Sequence, residues 1–283
     1  EYQLPNSAQN TSVIAPYDFD DDGDTDLFIG TRSVPGIFGI NPKHLLLEND
    51  GKGSFKDVTD GKAYILNDLG MITDAAWSDT NKDDKKDLVL TGDWMAPKIL
   101  LNNGGSFKLA DNNLDEISGA WTALSVFDIN KDENPDFILG NRGTNSFYQT
   151  SSENPVKVYI NDFDNNGTIE QIFTRNIDGK DVPIHLRREL AGQISAIKKQ
   201  NLKFSEYATK SIQELFSTEI VENSIVKEIT TFKSLLALSD SKGNYEFKEL
   251  PAEAQFSSIH AIEYLITKNG NNYFLLAGND YDL

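Results

Sequence analysis

The stretch Asp18-Phe-Asp20-Asp-Asp22-Gly23-Asp24-Thr-Asp26 leads straight into the apolar run Leu27-Phe28-Ile29-Gly30, and the same phrase returns three more times. Asp79-x-Asn81-x-Asp83-x-x-x-Asp87 runs into Leu88-Val89-Leu90, Asp128-x-Asn130-x-Asp132-x-x-x-Asp136 into Phe137-Ile138-Leu139, and Asp162-x-Asp164-x-Asn166-Gly167-x-x-Glu170 precedes Ile172-Phe173. Oxygen-bearing side chains on alternate residues, a sharp turn and a further carboxylate are how a short loop wraps a hard cation. Each copy lies between two strand-like segments, so fold and cation site repeat together.

The first unit shows the full order. Residues 12–17 read as a strand approaching the loop and 27–30 as a second; after a Gly/Pro-rich excursion at 30–42, segments 44–47 and 55–58 flank a glycine-rich turn as a hairpin. One unit is thus four short antiparallel strands with the cation loop between the first two. The second unit repeats this with 75–77, 88–91, 98–101 and Phe107. The third opens with 121–127 and turns irregular over 141–155, after which 156–160 leads to the fourth loop.

Between His185 and Phe216 apolar residues recur at three- and four-residue steps. That helical period predicts two amphipathic helices, an insertion over about 185–217. Strand patterning resumes at 231–238 and 245–247, which reads as a further hairpin unit. Leu250-Pro251-x-x-Ala254-Gln255 then echoes Leu4-Pro5-x-x-Ala8-Gln9. Residues 262–278 follow the first unit's course with Thr267, Asn269, Gly270 and Tyr273 in its loop, which is expected to keep the turn without the metal.

The formal net charge is −18, and thirteen of the 44 acidic residues stand at the alternating loop positions. Four bound dications would bring the charge to about −10; without them the loops repel themselves. A balance this acidic argues against a nucleic-acid partner, whose phosphates need clustered Lys and Arg. Cysteine is absent, which excludes disulfides and zinc–thiolate sites. No apolar run approaches the roughly 20 residues of a membrane-spanning helix. The sequence begins at Glu1 rather than Met, from which removal of a leader is expected.

These features give the chain a resemblance to the FG-GAP/VCBS repeat proteins, whose units are four-stranded blades of a β-propeller related to the integrin α-subunit head. Leu-Pro-x-x-Ala-Gln, Gly92-Asp93-Trp94 and Gly140-Asn141-Arg142-Gly143-x-Asn145 make it similar, within that group, to a bacterial branch resembling cartilage acidic proteins. The resemblance implies an all-β fold: a single β-propeller over residues 1–283 with about six blades, or seven, and a small α-helical insertion. The two termini are expected to complete one blade; the alternative is a fragment of a longer chain.

The resemblance also implies calcium, up to four ions, held by side chains at loop positions one, three, five and nine and by the carbonyl of position seven. The first site is then Asp18, Asp20, Asp22 and Asp26 with the carbonyl of Asp24, and the second Asp79, Asn81, Asp83 and Asp87 with that of Lys85. Asp128, Asn130, Asp132 and Asp136 with Asn134 make the third; Asp162, Asp164, Asn166 and Glu170 with Thr168 make the fourth. Turn position six holds Gly23 and Gly167 in loops one and four but Asp84 and Glu133 in loops two and three, where a left-handed backbone costs more. Occupancy is therefore expected to be highest at site one, next at four and two, and lowest at three.

No catalytic residue is expected. The acids are committed to loops, His44, His185 and His260 lack metal-ligand spacing, and no nucleophile elbow, phosphate loop or dinucleotide fingerprint is present. Trp77 and Trp121 lie in strands approaching loops and are expected in the core, whereas Trp94, at a strand end, is a candidate for stacking on a sugar. The expected function is a non-catalytic, calcium-binding extracellular or cell-surface module, secreted or on a bacterial outer membrane. It would bind a protein partner of a surface assembly through segments 30–42 and 141–155 and the helices. A glycan-binding module is the alternative, ahead of a polysaccharide-degrading enzyme.

Overall fold

The computed structural model describes residues 4, 5, 9–240, 242–269 and 272–279. Each acid loop is the tip of a two-stranded antiparallel ladder. β1 (Asn10–Tyr17) and β2 (Asp26–Ser33) close the first loop at the pair Tyr17↔Asp26, and β3 (Leu45–Asn49) and β4 (Phe55–Asp57) add outward in the order β1-β2-β3-β4. A short helix, α1 (Thr59–Lys62), follows. β5 (Met71–Ser78), β6 (Asp87–Met95), β7 (Lys98–Asn102) and β8 (Phe107–Leu109) repeat the order, with the second loop closed at Ser78↔Asp87.

The apolar runs after the loops have a simple cause. β6 is buried at every residue and β2 at most, so both read as continuous rather than alternating hydrophobics. The outermost strands β4 and β8 are three residues long with exposed lysines, which blunts their open edges. Aromatic side chains join the first two sheets: Trp77 donates Nε1–H to the Ala15 carbonyl at 3.1 Å and lies 5.1 Å from Tyr17, centroid to centroid. Trp121 is fully buried and donates to the Met95 carbonyl at 2.9 Å. Trp121 is a core residue, as expected, whereas Trp77 is half-buried and packs against the core.

The third sheet is split. β9 (Gly119–Ala120) pairs with β6, and β10 (Ala123–Phe127) and β11 (Asp136–Gly140) close the third loop at Phe127↔Asp136. Before that sheet is finished, β12 (Val156–Asn161) and β13 (Glu170–Ile177) close the fourth loop at Asn161↔Glu170. β14 (Lys180–Pro183) extends this meander, and β15 (Ile225–Ile229) joins the other edge of β12, in the order β14-β13-β12-β15. Only then do β16 (Leu235–Ser239) and β17 (Tyr245–Glu249) add to β11 and complete the order β10-β11-β16-β17.

Two expectations are corrected by this topology. The hairpin at 235–247 is not a further unit but the outer half of the third sheet, and the fourth loop belongs to another sheet inserted within it. Strands of one divided sheet have the same period as strands of two sheets, so spacing along the chain does not distinguish them. Packing does: Phe137 and Leu139 of β11 share a buried cluster with Leu235, Ala237 and Tyr245.

The expected pair of helices is five short ones: α2 (Arg187–Gln193), α3 (Ala196–Gln200), α4 (Phe204–Tyr207), α5 (Ile212–Leu215) and α6 (Thr218–Glu222). The apolar period marks most of the buried face: Leu190, Ile194, Ile197, Tyr207, Ile212 and Leu215 pack on Tyr159 and Ile172 of the inserted sheet and Phe163 of its loop, whereas Leu186 and Phe204, which share the period, are exposed. The breaks lie in the caps. Glu189, Glu206 and Glu214 each accept the backbone N–H three residues earlier, at 2.9, 3.4 and 2.8 Å, and so restart the helix. No helix among the described residues is long and apolar enough to cross a membrane.

β18 (Ala261–Ile266) and β19 (Asn272–Ala277) form a last hairpin, packed on the third sheet through Tyr264 and Phe274 against Phe127. Gly270 in its turn, like Glu1, Ala8 and Leu283, lies outside the described residues. Gln255 of the second Leu-Pro-x-x-Ala-Gln motif is buried; its Oε1 accepts the Ser234 N–H at 2.8 Å and its Nε2 donates to the carbonyls of Ser234 and Leu250. The motif is therefore a clasp on the edge of β16.

His44 is a structural histidine. It is fully buried, its Nδ1 accepts the Thr31 N–H at 3.1 Å, and burial pushes its pKa down to about 4. A folded value below the ordinary 6.5 means that the neutral ring stabilises the fold above about pH 6.5, an effect of about 3 kcal/mol lost as pH falls through about 4. Unfolding midpoints from pH 7 to 4 should show the advantage of the parent chain over His44→Gln shrinking on acidification. A constant difference would contradict a buried neutral ring.

Candidate metal centres

The four loops fold on one hydrogen-bond plan. The carboxylate at position one accepts the N–H groups of positions five and six: Asp18 from Asp22 and Gly23 at 3.2 and 3.0 Å, and Asp79 from Asp83 and Asp84 at 3.2 and 3.0 Å. Asp128 does so from Asp132 and Glu133, both at 3.0 Å, and Asp162 from Asn166 and Gly167 at 3.0 and 2.7 Å. Position five in turn accepts the N–H of position seven, with Asp22, Asp83, Asp132 and Asn166 holding Asp24, Lys85, Asn134 and Thr168 at 2.7–3.1 Å. Short Asp and Asn side chains offer such bonds to nearby backbone, which is why they suit tight turns.

These bonds hold two left-handed residues in every loop. Position six is one, with φ of 95° at Gly23, 65° at Asp84, 67° at Glu133 and 85° at Gly167. Position four is the other: Asp21, Lys82, Lys131 and Asn165 have φ of 60°, 62°, 64° and 56°. No glycine stands at position four in any loop, so nothing in the pattern announced this second strained residue, which costs roughly 1–2 kcal/mol.

Position nine works at greater range. Asp26, Asp87 and Asp136 are fully buried and Glu170 nearly so. One oxygen of each accepts the N–H of position two, at Phe19, Thr80, Ile129 and Phe163, over 2.9–3.1 Å. In the first three sheets the other oxygen accepts an amide at the end of the third strand: Asn49 at 2.8 Å, Asn102 at 2.8 Å and Ser239 at 2.9 Å. Ser239 lies 103 residues beyond Asp136, so the same tie spans the insertion. Burial pushes the Asp26 carboxyl up to about 6 against the pull of those amides, and it raises Asp87 and Glu170 in the same direction.

The loops differ in how well their residues fit a cation. Asp18, Asp20 and Asp22 bring ligand oxygens within 4.8 Å of one another, as do Asp162, Asp164 and Glu170. Asp20 Oδ1, Asp24 Oδ1 and Asp164 Oδ1 are buried without a hydrogen-bond partner. Leaving a charged oxygen in that state is costly, and a divalent ion bound by oxygen ligands removes the cost. In loops two and three the position-three side chains, Asn81 and Asn130, donate Nδ2–H to Asp83 and Asp132 at 3.1 and 2.9 Å, so those carboxylates find a partner within the loop. Loops one and four therefore fit an ion better than two and three.

One neighbour is absent from the loop pattern altogether. Lys62 of α1 places Nζ 2.7 Å from both Asp20 Oδ2 and Glu48 Oε2, over the Phe19 ring, and adds a positive charge at the rim of loop one. Trp94 is 8% exposed and lies 5.5 Å from the Phe173 ring, in the wall of a cavity rather than on an open face.

An FG-GAP-like repeat matches residues 79–139, from the first position of loop two through the strand that follows loop three. Among curated proteins none matches the chain. The match supports the repeat family that the loops point to.

Removing position nine should cost stability even without metal. Asp26→Ala strands the amides of Phe19 and Asn49, each worth about 1–3 kcal/mol when buried and unpaired, whereas Asp22→Ala frees only the exposed Asp24 N–H. Chemical denaturation in chelator should show Asp26→Ala losing about 2–5 kcal/mol and Asp22→Ala under about 1 kcal/mol. Equal losses would contradict the division of labour between these positions.

Proposed function

We propose that this chain is a calcium-stabilised β-propeller module that recognises another protein outside the cell or at its surface and carries no catalysis of its own. The observation that supports calcium most strongly is the set of buried, unpartnered carboxylate oxygens of Asp20, Asp24 and Asp164 inside loops whose backbone is already fixed. The donor set is oxygen only, without histidine or thiolate, which suits a hard cation. Asp18, Asp20, Asp22, Asp26 and the Asp24 carbonyl would hold the first ion, and Asp162, Asp164, Asn166, Glu170 and the Thr168 carbonyl the fourth. Asp79, Asn81, Asp83, Asp87 and Lys85 would bind more weakly, as would Asp128, Asn130, Asp132, Asp136 and Asn134.

Recognition of a protein is supported by the repeat match together with the placement of segments 30–42 and 141–155 at the strand ends away from the acid loops. Blades arranged as in the first three sheets and closed into a ring complete this reading. Millimolar extracellular calcium suits loops of ordinary affinity, and the likeness to a bacterial branch of the family favours a surface assembly on a bacterial outer membrane as the setting. Stacking of a glycan on Trp94 is the less favoured reading, because so little of its ring is open.

The test is thermal unfolding in calcium and in chelator. An ion at 100 times its Kd stabilises the folded chain by about 2.7 kcal/mol per site. The midpoint should rise in calcium, and a combined Asp20→Asn and Asp164→Asn variant should lose most of that rise. An unchanged midpoint in the parent chain would overturn the calcium assignment.

A further inference from the structure

Beyond three of the acid loops a second position recurs, at or just past the far end of the strand that leaves the loop. Six residues beyond Asp26, Asp87 and Asp136 stand Arg32, Asp93 and Arg142. These three converge: Arg32 Nη2 is 2.9 Å from Asp93 Oδ2, and Arg142 Nη2 is 4.0 Å from the same oxygen. Asp93 is 2% exposed. Arg32 takes Oδ2 alone, Asp93 Oδ1 is buried without a hydrogen-bond partner, and the guanidinium of Arg142, too far from Oδ2 for a hydrogen bond, makes none among the described residues. The half-buried Lys227 donates to Asn41 Oδ1, with Asp68 and Asp93 as its electrostatic partners. Three cations against two carboxylates make this a locally positive place on a chain of net charge −18.

Arg142 forms part of the wall of a cavity of about 120 Å³ whose other walls are mainly aromatic: Phe38, Trp94, Tyr148, Phe173 and Phe232. Phe38 comes from the segment after β2, Tyr148 from the segment after β11, and Phe173 from the inserted sheet, so the split of the third sheet is what assembles the pocket. Trp94 has φ of 58°, and among the described residues every other non-glycine residue with positive φ lies in an acid loop or in the turn between β13 and β14. Strain of this kind is held where surrounding structure requires it, often at ligand sites. A cavity of roughly 150 Å³ lined by apolar side chains takes up a benzene ring, so the space suits one six-membered aromatic ring. A second cleft of about 260 Å³ shares Tyr148 and Phe232 and continues past Gln149 and Lys233.

We propose that this cavity binds the C-terminal aromatic residue of a partner polypeptide, with the ring enclosed by Trp94, Phe173 and Tyr148 and the terminal carboxylate on Arg142. Guanidinium and carboxylate pair through two parallel hydrogen bonds, the strongest arrangement available to Arg142. The adjoining cleft takes the residues that precede the terminus, which is why a polypeptide is the occupant rather than a free aromatic acid. The proposal deepens the protein-recognition reading and rests on it, but not on calcium.

Binding of short alanine- and serine-based peptides, followed by calorimetry and tryptophan fluorescence, tests it in calcium and again in chelator. A peptide ending in phenylalanine with a free carboxylate should bind at least tenfold tighter than the same peptide as its C-terminal amide or with a terminal alanine. Arg142→Gln should bring the acid down to the level of the amide while the amide still binds; Arg142→Lys should restore part of the difference. Equal binding of acid and amide, or no binding by either, overturns the proposal. N-acetylphenylalanine binding as tightly as the peptide overturns the polypeptide assignment in favour of a small-molecule site. Selective peptide binding with no calcium effect on stability would mean that the calcium assignment fails while the pocket stands.

Discussion

Three sheets of this protein are each held by a buried carboxylate that accepts one amide from its own loop and one from the end of the third strand. A loop rich in negative charge would otherwise splay. With Asp26, Asp87 and Asp136 in place, the loop's second residue, the strand after the loop and the strand beyond that are fixed to one pair of oxygens. The rest of the loop follows at short range, because positions one and five then need only turn the backbone over five residues. Register of the sheet and shape of the acid loop are set by the same few bonds.

The split third sheet shows what this tie tolerates. Residues 141–233 leave β11, build a sheet and a cluster of short helices, and return so that Ser239 meets Asp136 as Asn49 meets Asp26. Lengthening a connection adds loop entropy only slowly, by about 0.6 kcal/mol per doubling, so a large insertion between two strands of one sheet is affordable when both edges are well packed. The insertion also supplies Phe173 and Phe232 to the cavity at Trp94. Unpartnered polar groups thus stand at both ends of the sheets: carboxylate oxygens of Asp20, Asp24 and Asp164 in the acid loops, and the Arg142 guanidinium at the opposite end.

Much of this was legible in the residues. The four loops, their flanking strands and the burial of Trp121 follow from spacing and polarity, because alternation of acids and continuity of apolar runs are local properties. The candidate ligands were legible for the same reason. What escaped was non-local or unmarked. Nothing in the run 235–247 tells that it pairs with β11, the left-handed residues at position four have no glycine to flag them, and Lys62 reaches Asp20 from 42 positions away. The helical segment was right in period and wrong in number, since Glu189, Glu206 and Glu214 restart helices within an unbroken apolar rhythm. Convergence of Arg32, Asp93 and Arg142 required the sheets to be placed side by side before it became visible.

Amide hydrogen exchange at Asn49, Asn102 and Ser239 is the most direct measurement of the carboxylate tie, read in chelator so that no ion contributes. If the buried carboxylates hold the sheets, these three amides at strand ends beside polar loops should exchange as slowly as the central strand residues Leu90 and Leu139. Exchange at the rate of the exposed loop amides, with Ser239 no slower than its neighbours in the 240–244 turn, would contradict it.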